Sequence, residues 1–289
     1  MNYIFFGTAE FAATILNKMI DAGIPPLAVV CNPDRPVGRK QVITPPPAKV
    51  IAEAHKIKVL QPNKLSSADF GSQLPISPWK FDFFLVAAYG KIIPESILNM
   101  PHLGTIGVHP SILPRFRGAS PIQSSILYGE NETGVTLFLV DKEIDHGNVI
   151  ATSKKIAVSG ENYDSLSKKL SNLAAEFAME FLPKFLKGEM ILEPQNEYDA
   201  TFTRKFKTKD GYITEDELKS AMNGSNPEMV KEIDRKLRAL NPEPGTYTII
   251  NEKRIKLLGD KIEDGKLILT LIQPEGKKPT PASQYKKIF

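Results

Sequence analysis

The chain has 289 residues, 42% hydrophobic and 24% charged, a balance that excludes a largely disordered polypeptide and suits about two globular domains. Its single cysteine, Cys31, excludes an internal disulfide framework and four-cysteine or two-cysteine, two-histidine zinc sites, and it fits a reducing compartment. The net charge of +4 is uneven: residues 201–289 carry 18 Lys+Arg against 13 Asp+Glu, so the C-terminal part reads as a surface for an anionic partner such as nucleic acid, or as a lysine-rich solvated face.

The first half alternates short apolar runs with helical patterns. Tyr3–Phe6 reads as a buried strand ending at Gly7, and Phe11, Ile15 and Met19 recur at helical spacing after it. Gly23 and the Pro25–Pro26 pair end that helix. Strands are expected at Leu27–Cys31, Lys58–Leu60, Phe83–Ala88, Thr105–His109 and Thr136–Val140, with helices at 48–55 and around Pro121–Tyr128. Strands alternating with helices predict an α/β fold: a mostly parallel sheet with helices on both faces. Val149–Ala157 adds a strand, and a helix from Tyr163 to Lys187 presents Leu166, Leu170, Leu173, Phe177 and Phe181 on one face. These elements make a first domain over 1–188. Residues 189–209 are polar and poorly periodic and read as a linker. A second domain, 210–289, has a helix at Pro227–Leu240 and strands at Thr246–Ile250, Arg254–Leu258 and Leu267–Ile272, an α+β or barrel-like unit. The longest apolar run, Phe83–Tyr89, is far short of the ~20 residues that cross a bilayer, and no basic stretch precedes the N-terminal apolar residues. The chain is therefore expected in the cytoplasm, away from membranes.

No GxGxxG and no GxxxxGK[ST] occurs, so nicotinamide and P-loop nucleotide sites lack motif support, and the four histidines show no HExxH or other metal spacing. The informative stretch is Gly104–Gln123, GTIGVHPSILPRFRGASPIQ. It places His109 at a strand end, where an open α/β sheet binds ligands, before a basic, proline-braced loop. Imidazole exchanges protons near neutral pH and suits acid–base work there; a hydrogen-bonded structural histidine is the competing reading. Asp145, in EIDHGNVI, lies just past another strand, where a carboxylate can orient a histidine, stabilise its charge or hold a water, or serve only as a turn residue. The loop Pro33–Val50 exceeds the usual length of about 2–6 residues and carries Arg35, Arg39, Lys40 and Lys49, which suits a phosphate backbone as well as a mobile surface loop.

Together these segments resemble the methionyl-tRNA formyltransferase family, one of the folate-dependent formyltransferases. The resemblance rests on FFGTAEFA at the start, NPDRPVGR in the loop, VAAYGKIIP at 86–94, VHPSILPRFRGASPIQ at 108–123 and ETGVTLFLVDKEIDHGNVI at 132–150, with weaker matches in RALNPEPG and LIQPEGKKP. It implies a Rossmann-like first domain that binds 10-formyltetrahydrofolate as co-substrate, without a metal. The acceptor it implies is the α-amine of methionyl initiator tRNA. His109 and Asp145 match the family's catalytic pair. Ala88, Tyr89 and Gly90, with Ser111, Leu113 and Pro114 in the loop beside the active site, match its folate pocket. The resemblance further implies a small β-barrel-like (OB-type) second domain that contacts tRNA, joined in that task by Arg35, Arg39 and Lys40, and a monomer working in translation initiation.

Two departures stand out. Gly107 occupies the position where the family's Asn-x-His pattern has asparagine, whose amide helps hold the developing oxyanion, so the resemblance implies a reduced rate here. The stretch between Lys256 and Leu267 is short and the family's tryptophan-rich segment is replaced by NPEPGTY at 241–247, which implies a reduced barrel. Two other readings stay open: a nucleotide-sugar N-formyltransferase with the same His109–Asp145 core, and an inactive tRNA-binding relative with Gly107 as its mark. A glycinamide ribonucleotide formyltransferase fits less well, because its core would end near residue 200.

Overall fold

The computed structural model describes residues 1–38, 40–66, 70, 73–74 and 81–285. The chain divides into two units, each drawn from separate stretches. The first takes 1–119, 133–156 and 167–202; the second takes 120–132, 157–166 and the chain from Thr203 onward.

The first unit is built on a seven-stranded sheet. Its strands are β1 (Tyr3–Gly7), β2 (Ala28–Val30), β3 (Lys58–Leu60), β4 (Phe83–Ala87), β5 (Thr105–His109), β6 (Thr136–Leu139) and β7 (Val149–Thr152). Their order is β7-β6-β5-β4-β1-β2-β3. The run from β3 to β5 is parallel, and β6 and β7 add antiparallel strands at one edge. Central strands buried on both faces read as unbroken apolar runs, and β1 and β4 do so with Tyr3–Phe6 and Phe83–Leu85 wholly inside. Helix α1 (Glu10–Asp21) buries Phe11, Ile15 and Met19 as its spacing predicts, and α2 (Pro47–Ala54) follows the long loop. Phe6, Phe84 and Tyr89 meet ring to ring inside the core, at centroid separations of 5.2 and 5.4 Å from Phe6. The long loop itself folds back as a hairpin, Arg35–Val37 against Val42–Thr44, with all six residues exposed.

The second unit contains α3 (Pro121–Leu127), α5 (Glu215–Asn223) and α6 (Pro227–Leu240). Helix α4 (Tyr163–Leu186) runs through both units' stretches and carries Pro183 within it. Strands β8 (Thr246–Ile250), β9 (Lys253–Glu263), β10 (Lys266–Pro274) and β11 (Thr280–Pro281) form an antiparallel sheet in linear order. Among the described residues no pairing joins β8 to β11, which agrees with the reduced form of the small β-rich domain that the resemblance implies. Val230, Ile233 and Leu237 of α6 and Leu218 of α5 pack with Leu257, Leu269 and Ile272 of the sheet. Strand β9 is longer than the Arg254–Leu258 run read from the sequence. Register shifts at Gly259 and Asp260 let it continue, and Asp264–Gly265, both at positive φ, turn it into β10. Helix α5 was not anticipated, although Thr214 and Glu217 form a capping box at its start.

Candidate active site

His109 ends β5 at the carboxyl edge of the sheet, close to the reversal in strand order between β1 and β4. Open α/β sheets bind ligands along that edge. The imidazole is almost fully buried, at 6% exposure. Its Nε2 lies 2.8 Å from the Phe116 carbonyl, which can only accept, so Nε2 holds the proton of the neutral ring. Nδ1 faces Asp145 Oδ2 at 3.5 Å. The Phe138 ring stands edge-on to the imidazole, with centroids 6.4 Å apart at 90°.

Asp145 sits in the connection between β6 and β7 with φ at 49°, in the left-handed region that aspartate enters more readily than most side chains. Its Oδ2 accepts from the Gly118 N–H at 2.7 Å. From residues 193–203, within the segment expected as a linker, come the contacts that hold this connection. Gln195 Nε2 donates to the backbone carbonyls of Asp145 and Gly147, both at 2.9 Å. Gln195 Oε1 accepts from Arg117 Nε at 3.0 Å, and the Arg117 guanidinium pairs with both oxygens of Glu197 at 2.9 and 2.7 Å. That pairing holds the Glu197 carboxyl below its usual range. Gly147 is required where it stands: a Cβ there would lie 1.8 Å from the Leu139 carbonyl oxygen. His146 Nδ1 lies 2.6 Å from Asp141 Oδ2, which raises the imidazole above its ordinary value. Beside it opens a cavity of about 350 Å³ lined by Leu98, Asn99, Val140, Asp141, Glu143 and His146 among others. Among the described residues no group of three or more His, Cys, Asp or Glu is placed to hold a metal ion.

Residues 1–182 match the family model described as formyl transferase, and residues 228–266 match its C-terminal domain. The chain belongs to the formyl transferase family. It is 36% identical to the methionyl-tRNA formyltransferase of Staphylococcus epidermidis over 98% of this chain and 94% of that protein. It is 34% identical to the enzyme of the same name from Citrifermentans bemidjiense over 99% and 92%. A methionyl-tRNA formyltransferase from Clostridium thermocellum superposes with a TM-score of 0.62 at 16% identity, over 95% of this chain and 98% of that one. WlaRD, a sugar 3N-formyl transferase crystallised with dTDP and 5-N-formyl-THF, gives 0.63 at 16% over 96% and 99%. At such identities the two structures show the shared fold.

Against this family background, the expected folate residues divide. Ala88 and Gly90 are exposed at the end of β4, both at positive φ. The Tyr89 side chain turns into the core, where burial pushes its hydroxyl up to about 12, and its backbone carbonyl accepts from Thr8 and Asn32. Ser111 is fully buried and donates to the Arg115 carbonyl at 2.6 Å, and Leu113 is nearly so, which leaves Pro114 as the partly exposed member of that trio. Gly107 lies within β5 opposite Phe138 of β6, and a Cβ at 107 would meet that ring at 2.3 Å. Of the loop cations, Arg35 and Lys40 are exposed, Arg39 lies outside the described residues, and Lys49 is held by Asp34 at 2.8 Å. Gln195, Glu197 and Phe138 escaped the sequence reading; the Pro-Gln-Asn-Glu run at 194–197 was the only signal for the first two.

Proposed function

We propose that this chain transfers the formyl group of 10-formyltetrahydrofolate to the α-amine of methionyl initiator tRNA. The observation that carries the reading is the His109–Asp145 pair, 3.5 Å apart at the carboxyl edge of the sheet, in a chain 36% identical over nearly its whole length to a protein of that name. In this reading the neutral amine attacks the formyl carbon, forming a C–N bond while the carbonyl electrons move onto oxygen. The Nε2–H of His109 is committed to the Phe116 carbonyl, so the Nδ1 edge, which faces Asp145, is the side left for the reacting groups, and a proton placed there would be donated to the developing oxyanion. Asp145 accepts the amine proton, directly or through a water. The oxyanion electrons then re-form the carbonyl as the bond from the formyl carbon to N10 breaks, and N10 takes the proton that Asp145 received as tetrahydrofolate leaves. Ala88, Gly90 and Pro114, with the backbone around Tyr89, Ser111 and Leu113, are the candidate folate contacts. Arg35, Arg39, Lys40 and the basic part from 210 onward are the candidate tRNA contacts. A cytoplasmic monomer belongs to the same reading.

The test is incubation with 10-formyltetrahydrofolate and either methionyl-tRNA or a dTDP-linked amino sugar. Formylation of the tRNA is expected, with His109→Ala lowering turnover by about 10²–10⁴. Transfer to the sugar instead would establish the alternative enzyme, and tRNA binding without transfer to either would establish the inactive relative.

A further inference from the structure

We propose that Gln195 is a positioning residue for Asp145, the clamp that ties the two active-site loops together. The inference rests on formyl transfer being the reaction. Asp145 and Gly118 belong to different loops, one after β6 and one after β5, and the 2.7 Å bond between them is what brings Asp145 Oδ2 towards His109. The Gln195 carboxamide spans the same two loops from outside. Its Nε2 binds two carbonyls of the Asp145 loop, and its Oε1 binds Arg117, the residue before Gly118.

The arrangement is rigid for chemical reasons. A carboxamide is the one side-chain group that offers two N–H donors and a carbonyl acceptor in a fixed plane. The Arg117 end is fixed in turn: its side chain is 2% exposed, paired at both terminal nitrogens with Glu197, and its backbone N–H donates to the Thr201 carbonyl at 2.8 Å. Aspartate is among the residues that enter the left-handed region, and the two Nε2 bonds to the Asp145 and Gly147 carbonyls fix that turn in one position. Active sites lose rate when a reacting group drifts by about 1 Å. Gln195 lies beyond the residues matched by the catalytic-domain family model, so the clamp is supplied from outside that domain's sequence.

Two variants separate the clamp from a packing role. Gln195→Met keeps the length and loses every hydrogen bond. Gln195→Glu keeps an acceptor for Arg117 but cannot donate to the Asp145 and Gly147 carbonyls. Both are expected to lower kcat by about 10–100-fold, with KM for tRNA and folate within about threefold. In both, the Gly118 amide, which Asp145 holds, should exchange with solvent deuterium at least tenfold faster, a readout that needs no activity. Wild-type exchange at Gly118 in Gln195→Met overturns the proposal. So does a Gln195→Glu protein with wild-type kcat, which would mean that Gln195 merely anchors Arg117. A wild-type chain that forms no formylmethionyl-tRNA overturns the functional reading alone, and the exchange measurement still decides the clamp.

Discussion

Phe138 occupies the space into which a side chain at residue 107 would project, with ring atoms 2.3 and 2.5 Å from the position of a Cβ. Glycine at 107 and the aromatic ring at 138 are therefore a coupled pair across β5 and β6. Gly107→Asn alone is expected to destabilise the fold by about 1–3 kcal/mol through overpacking, with no gain in kcat. Combined with Phe138→Ala, the same asparagine has room, and its amide should raise kcat by roughly 10²–10³ over Phe138→Ala alone, the usual value of an oxyanion donor. A double-mutant cycle in melting temperature and kcat checks both statements, and a stable, faster Gly107→Asn single variant would show that the ring yields freely. Asp145→Asn should be severely impaired at every pH, since an amide cannot take the amine's proton; unchanged turnover would remove Asp145 from the reaction. The sequence places His109 at a strand end before a basic loop and Asp145 just past another strand, and only the family resemblance pairs them; the structure sets the two side chains 3.5 Å apart. Phe138 was not legible, because its meaning comes from a cross-strand neighbour that no spacing reveals.

At the scale of elements, the hairpin between β2 and α2 carries Arg35 on its first strand and Lys40 near its tip, both exposed, with Val37 of the first strand and Val42 and Ile43 of the second also exposed. Replacing Arg35 and Lys40 with alanine is expected to raise the KM for tRNA and to flatten its salt dependence by roughly one unit of slope per lost phosphate contact. Folate KM should not follow. Equal slopes for parent and variant would take the hairpin off the tRNA path. Helix α5 offers a simpler check. Its start is held by the Thr214–Glu217 capping box, and Thr214→Ala should cost about 1 kcal/mol in thermal unfolding. The parallel strands were readable because burial on both faces leaves unbroken apolar runs. The hairpin was hidden by its proline and its exposed, short strands. Residues 193–203 looked like a linker because they are polar, yet Gln195, Glu197 and Thr201 direct that polarity at Arg117, Asp145 and Phe116. Polarity alone does not distinguish a solvated segment from one whose polar groups are all engaged.

For the molecule as a whole, Asp260 is one group that makes stability respond to pH above acid. It lies in β9, half-buried, with Oδ2 unpartnered, and desolvation with the nearby Asp234 charge pushes its carboxyl up to about 7 against a partial pull from Arg238. A carboxyl raised by folding keeps its proton while the unfolded chain loses one. Its contribution to stability is therefore complete below about pH 4 and declines as pH rises towards 7. Asp260→Asn should leave the stability near that of the parent at pH 4 and raise it at pH 8, by at most about 4 kcal/mol for a shift of this size, read as a higher melting temperature at pH 8 only. Equal melting temperatures for the two at pH 8 would mean that Asp260 ionises without cost. Asp210 acts in the opposite sense: its carboxyl is held well below the usual range, chiefly by Arg204, so its contribution is lost as pH falls into the acid range. The division of the chain also bears on how such a protein can change by recombination. A crossover at residue 188 would strip the Gln195 and Glu197 hydrogen bonds from the buried Arg117 guanidinium. A crossover at 203 would spare that pair but give α3, whose Ile122 and Ile126 are buried, a foreign α6 to pack against. Neither junction yields a clean module, so the two parts of this chain are expected to be inherited together, with substitutions on one side of residue 188 answered by substitutions on the other.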